Sequence, residues 1–427
     1  MTARYIDGGV MEHSGKQKSS IFWVLGSTPN AFKFGDNRIN TALSLLAMRP
    51  PSCDPSVTSI CMHTILVLGG YGFFGHRICE SLTKDSDIRL LIAGRDGSKA
   101  KELAQALGLP AAQGLSLDAT APHLSEQLRG LGVNTLIHTA GPFQGQDYAV
   151  AKAAIDAGAN YIDLADGREF VAGITQLNDA AKARGVTVTS GASSLPALSS
   201  AVVDRLYKRF GRLDSITHGI GSGARAPGVA TMTGVFGYCG KPFTRLVAGK
   251  WQTTHGWLDI KRYRFPQPVG PRLLGSCDVP DLVLFPERYP GVKTVTFHAG
   301  FASNLGHLGV WAAAQLVRLG VLRSLIPWVP ALHAISQKLE PWISDKGGMF
   351  VSLRGLGHDG APLQLDWHLL AAQNHGPYIP CGAAIALARK LAAGEPLAKG
   401  ALPCMGLVTV DEYLAALKGF DVREVSP

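Results

Sequence analysis

Three glycines carry the first chemical signal in this chain. Gly70, Gly72 and Gly75 stand in GGYGFFG with G-x-G-x-x-G spacing. The first permits a tight turn, the second lets backbone approach a pyrophosphate, and the third allows a helix to pack closely on a strand. Tyr71, Phe73 and Phe74 fill the positions between them. About 20 residues further on, a site for an unphosphorylated ribose usually carries an acid; here the residue is Arg95, preceded by Gly94. An arginine there suits a 2′-phosphate, so the spacing predicts NADP(H) rather than NAD(H). Asp96 reads as the N-cap of the following helix. Asp118 falls where an adenine would lie, and Ala140, Gly141, Pro142 and Phe143 fall at the nicotinamide end.

Hydride reduction of a C=N, C=O or C=C bond needs a matched proton. His375 and Tyr378, in the loop NHGPYIPCG, are the leading donor candidates. Tyr148 is a third, at the start of a helix near the expected nicotinamide end. With Lys152 it makes Y-x-x-x-K, the pair used by short-chain dehydrogenases. That pair belongs after the fifth strand of such a fold, however, and here it follows the fourth, so Lys152 reads as a solvated helix residue. Arg225 is the charge in the glycine-dense stretch 219–240 that could hold a substrate carboxylate. The thirteen histidines and seven cysteines show no zinc-ligand spacing, and no metal is expected.

These residues require a particular set of elements. TILVL at 64–68 is a continuous apolar run, the pattern of a strand buried on both faces of a parallel sheet. It precedes the glycine motif, and HRICESL follows with helical periodicity, which is the order the motif needs. Further strands are predicted at 88–94, 114–118, 133–141 and 159–166 and in VTVTSGASS, with helices between them, FVAGITQLNDAAKARG among these. Alternating strands and helices with short loops predict a doubly wound α/β sheet. Beyond residue 211, strand signals separated by turns predict a largely antiparallel sheet. One hairpin is expected around Ala248-Gly249 and another around GHDG at 357–360.

VLGGYGFFG at 67–75, AGRD at 93–96, HTAGPFQGQ at 138–146, AIDAGANYIDLADG at 154–167 and SGASSLPALSSAVVD at 190–204 resemble the saccharopine dehydrogenase-like NADP-binding oxidoreductases. The likeness covers about 62–205 well, and the remainder resembles the second domain of one bacterial branch. It implies a Rossmann domain, an α+β domain for substrate and dimerisation, and hydride transfer with NADP(H) or NAD(H). It also implies that the helix after His375 and Tyr378 returns to the nucleotide domain. The family's chemistry is broad, from reductive C–N bond formation to enoyl reduction of lipids. Where the lysine-pathway pattern commonly has Pro-Gly, this chain has Pro196-Ala197, so that activity itself is not expected.

The expected organisation is an extension over 1–61, a Rossmann domain over 62–211, an α+β domain over 212–375 and C-terminal helices over 376–427. Met62 opens MHTILVLGG as a natural domain start, so either Met62 is the initiator or 1–61 is a poorly ordered extension. The apolar patch 21–26 is too short to span a membrane and lacks a signal-peptide layout. Unpaired cysteines point to a reducing, cytoplasmic setting. The 427 residues are 46% hydrophobic and 17% charged, which excludes intrinsic disorder. The formal charge of +9 is scattered and suits anionic metabolites better than nucleic acid. Of the 50 glycines, seven crowd into 219–240 without a motif to explain them.

The stretch 305–335 is the most apolar. It reads as a helix with one polar arc of His307, Gln315, Arg318 and Arg323 and a broad apolar face. A core or homodimer contact ranks first for that face and a peripheral membrane contact second. Three functional readings stand: an NADP(H)-dependent oxidoreductase on a small substrate, an enoyl reductase on a lipid or polyketide, and a non-catalytic nucleotide-binding, membrane-associated scaffold.

Overall fold

The computed structural model describes residues 62–223 and 228–427. The expectations for 1–61 and for Arg225 lie outside the described residues.

The nucleotide half is a seven-stranded parallel sheet. Its strands are β1 (His63–Leu68), β2 (Ile88–Gly94), β3 (Gly114–Ser116), β4 (Thr135–His138), β5 (Asn160–Asp163), β6 (Thr187–Ser190) and a late strand β15 (Gly400–Pro403). Their order is β15-β6-β5-β4-β1-β2-β3. Strand order reverses between β1 and β4, which places the ligand crevice beyond their carboxyl ends. Both faces of β1 are buried, as its unbroken apolar run requires. Ile65 and Val67 join a cluster with Ile78 and Leu82 of α1 (Phe73–Leu82) and Leu103 of α2 (Gly97–Ala106). Leu66 and Leu68 face the other way, toward Leu124 and Leu128 of α3 (Leu124–Gly130) and Val150 of α4 (Ala149–Ala157). The helix expected over 170–185 is broken into α5 (Arg168–Gly173), a 3-10 turn over Ile174–Leu177 and α6 (Asn178–Arg184).

The second half follows α7 (Ser199–Tyr207) and is mixed but mainly antiparallel. Its central strand β7 (Phe210–Gly221) runs parallel to β12 (Thr294–Gly300) and antiparallel to β13 (Gly347–Gly357). β14 (Pro362–Ala371) completes the hairpin expected around 357–360. β8 (Pro242–Val247) and β9 (Lys250–His255) form the other expected hairpin. Ala248 and Gly249 both have positive φ, 50° and 77°, the sign pattern of a type I′ turn. β10 (Lys261–Arg264) and β11 (Pro271–Ser276) extend the sheet beyond β12. Between these strands lie α8 (Val229–Gly237) and α9 (Asp281–Arg288).

The apolar stretch 305–335 is two helices rather than one. α10 (Asn304–Arg318) ends before Gly320, whose φ is 76°, and α11 (Val329–Leu339) starts after Pro327. His307, expected on the polar arc, is buried against Trp257 and Phe301.

The closing segment is not only helical. It carries α12 (Gly382–Ala392) and α13 (Val410–Ala416), but also β15 in the first sheet and β16 (Val422–Val425) paired with β14 in the second. Both strands have four residues, too short for a period to show. A second join is buried. Ser199 of α7 donates to Asp281 of α9, and His218 Nε2 of β7 lies 3.0 Å from the same carboxylate oxygen.

Candidate active site

The glycine loop leaves no room for side chains. Gly69, which precedes the motif, has φ of +83°, and a Cβ on Gly75 would sit 2.2 Å from the Gly69 oxygen. Thr139 Oγ1, just past β4, donates to the Leu68 and Gly69 carbonyls. Gly69 and Thr139 were not anticipated as site residues; the positive φ is a tertiary fact that spacing does not show. Gly72 is the N-cap of α1 and no side chain caps it, so the first backbone N–H groups of the helix face the crevice unclaimed by a cap. That is the geometry that receives a pyrophosphate.

At the adenosine end, Tyr71 crosses to β2. A Cβ on Gly94 would stand 2.5 Å from the Tyr71 ring, and the Tyr71 hydroxyl accepts the Asp96 N–H at 2.9 Å. Asp96 accepts from the Ser98 and Lys99 N–H groups, so it caps α2 as expected. With its carboxylate turned to the helix, Arg95 is the exposed charge at the tip of β2. Asp118 accepts from the backbone and hydroxyl of Thr120. Those hydrogen bonds, with help from the Arg95 charge, hold its carboxyl below the usual range.

At the other end, the loop after β4 is braced by Gln146, which donates to the Pro142 and Ala140 carbonyls. Ala140, Gly141 and Pro142 are partly exposed there. Phe143 is not: its ring is buried against His138 and Phe170. Asp163, at the end of β5, accepts from the Ala165 and Gly191 N–H groups and from Ser190 Oγ, all at 2.9 Å. It ties the β5 and β6 loops together, and burial pushes its carboxyl up to about 6.

Each of the three proton-donor candidates is partly exposed and engaged in a hydrogen bond. Tyr148 donates to the Phe170 carbonyl at 2.7 Å. Tyr378 donates to Glu80 at 2.8 Å and stacks on Phe420, and burial raises its hydroxyl to about 12. His375 Nδ1 accepts the Asp421 N–H. The loop carrying the last two does reach the nucleotide domain, but its neighbours Gly376, Pro377, Ile379 and Pro380 line the cleft instead.

That cleft is a cavity of about 170 Å³ between Phe73 and Phe74 of α1, Ser194 after β6, and Ile220, Gly347 and Met349 of the second sheet. Its lining is mostly apolar. Asp345 is its one titratable side chain among the described residues, and Asp345 accepts the Gln373 N–H. A polar pair that is not part of that lining stands just past β5. Gln144 donates to Asp166 at 2.9 Å, and Gly234 of α8 lies so close that a Cβ there would meet the Gln144 amide at 2.7 Å. Burial raises the Asp166 carboxyl above its ordinary value. Neither Gln144 nor Asp166 stands out in the sequence. Their proximity joins two loops that only the parallel pairing of β4 with β5 brings together.

Residues 65–189 match the family described as saccharopine dehydrogenase NADP binding domain. The apo saccharopine dehydrogenase (L-Glu forming) of Saccharomyces cerevisiae superposes with a TM-score of 0.61 at 15% identity, over 86% of this chain and 100% of that one. At that identity the likeness is one of fold. A stretch of 84 residues is 38% identical to the spectinabilin polyketide synthase system protein NorB of Streptomyces orinoci, covering 19% of this chain and 4% of that protein. A stretch of 146 residues is 28% identical to a lipid droplet localized protein of Caenorhabditis elegans, covering 32% of this chain and 34% of that protein. The matched parts thus span about a third or less of these curated relatives.

Proposed function

We propose that this chain transfers hydride between NADP(H) and a substrate held in the cleft between its two sheets, a reading supported by the match of residues 65–189 to the saccharopine dehydrogenase NADP binding domain. The observation that carries this reading is the loop at Gly69–Gly75, whose glycine positions have no space for a side chain and which opens onto the start of α1, where no side-chain cap is found. A nicotinamide dinucleotide fits there, and when bound it supplies the hydride.

The chain's own residues do the rest. Arg95 is exposed at the tip of β2 and binds a 2′-phosphate, while Asp96 is occupied in capping. This pairing favours NADP(H) over NAD(H). Asp166 lies in the loop after β5, beyond the strand ends where ligands of such sheets collect. Its raised pKa favours the protonated form a donor needs, and Gln144 orients one of its oxygens. Asp166 therefore replaces His375, Tyr378 and Tyr148 as the proposed proton donor.

The apolar lining at Phe73, Phe74, Ile220 and Met349 favours a second, narrower reading of the substrate. It suits the hydrocarbon part of a lipid or polyketide enoyl group better than a small polar amino acid. The relatives named above, a polyketide synthase protein and a lipid droplet localized protein, lean the same way. Titration with NADPH and NADH, followed by an NADPH-oxidation screen over imines, keto acids and enoyl thioesters, tests both readings. Tighter NADPH binding with turnover of one class is expected. Binding without turnover of any class would favour the non-catalytic scaffold.

A further inference from the structure

Among the described residues, ten of the fourteen large apolar side chains exposed to solvent fall between Leu305 and Trp342. Trp342 is 80% exposed, Leu305 81%, Leu319 73%, Val321 67% and Trp328 58%. α10 packs Val310, Trp311, Ala313 and Val317 partly against the main core. It buries His307 and Ala314 and leaves Leu305, Leu308 and Leu316 outside. The far side of the unit is anchored, since Leu325 and Val329 join the main core. The outer face is therefore firmly held and apolar. Such a concentration of exposed apolar side chains in one stretch of chain marks a docking surface.

Charge indicates what docks. Residues 304–342 contain Arg318, Arg323 and Lys338, all exposed, against the single carboxylate Glu340. Exposed tryptophans with neighbouring arginines are the equipment of a surface that sits at the headgroup level of a bilayer. No helix among the described residues is long and apolar enough to cross a membrane. We propose that α10, α11 and the turn between them dock on an anionic lipid surface. The leucines and tryptophans insert among the upper acyl chains, and Arg318, Arg323 and Lys338 meet the phosphates.

The test uses the full chain with vesicles of phosphatidylcholine alone or with about 30% phosphatidylserine, read by flotation and tryptophan fluorescence. Flotation with the anionic vesicles is expected, with a blue-shifted emission and a marked loss of binding at high salt. Trp328→Ser/Trp342→Ser should abolish the blue shift, and Arg318→Glu/Arg323→Glu should weaken binding to anionic vesicles by about tenfold or more. Circular dichroism and retained dinucleotide binding show that the variants fold. Failure to float with either vesicle overturns the proposal. So does a two-chain mass in solution that Trp328→Ser/Trp342→Ser converts to one, since the face then belongs to a second copy.

Discussion

Tyr71 closes over Gly94: a Cβ at Gly94 would stand 2.5 Å from the tyrosine ring, whose hydroxyl accepts the Asp96 amide proton at 2.9 Å. One residue of the glycine loop thereby sets the position of the β2 tip, where the ribose is expected. Gly94→Ala must displace the ring, at a cost of about 1–3 kcal/mol. Tyr71→Ala removes the obstacle. A double-mutant cycle in urea should therefore show the pair less destabilised than the sum of the two single variants, with a coupling of at least about 0.5 kcal/mol. Strict additivity would refute the contact.

Arg95→Asp tests the cofactor preference. Losing one charge-assisted contact to phosphate and gaining a repulsion should raise the NADPH dissociation constant by about 10- to 100-fold. The NADH constant should move far less. Equal changes, measured by fluorescence titration, would remove the assignment.

Asp166→Asn tests the proton donor. Turnover in the reductive direction should fall by about 100-fold or more while NADPH affinity stays within about twofold. A donor must be protonated, so wild-type activity should decline as pH rises through the raised Asp166 pKa. Loss of that limb in the variant is the signature. If the limb persists, the donor is another group, and Asp345 is the next to substitute.

Stability should fall on acidification. Burial pushes His138 and His307 down to about 4 and His298 to about 3. Each is neutral in the folded chain and takes up its proton near 6.5 when unfolded. Their contribution is thus fully present above about 6.5 and is lost as pH falls toward about 4, by up to about 1.4 kcal/mol per unit for each group. Asp163, raised to about 6, acts in the opposite sense, losing stability as pH rises from about 4 through 6. Among the described residues, His307 has no hydrogen-bond partner for either ring nitrogen. His307→Leu should therefore flatten the acid slope by one group's share. Urea midpoints at pH 7.5 and 5 check it.

Asp281→Ala should destabilise the fold by about 3 kcal/mol or more, since it strips Ser199 and His218 of a buried partner shared by both halves. A loss under about 1 kcal/mol would mean the cluster is dispensable.

Linear sequence alone determined the opening of the nucleotide half. The β1 run, the glycine spacing, Arg95 and the Asp96 cap depend on neighbours within a turn or a strand, so period and spacing report them directly. The same holds for the two hairpins, whose partners lie a few residues apart. Tertiary structure decided what depends on distant pairing. Gly400–Pro403 becomes a strand only because Thr187–Ser190 offers it an edge. Gln144 meets Asp166 only because β4 lies beside β5. His375, Tyr378 and Tyr148 have the right chemical types, but Asp421, Glu80 and the Phe170 carbonyl engage them. Direction of burial was likewise invisible: periodicity puts His307 on the polar arc of α10, but His307 is buried against Trp257 and Phe301 while Leu305, Leu308 and Leu316 stay exposed.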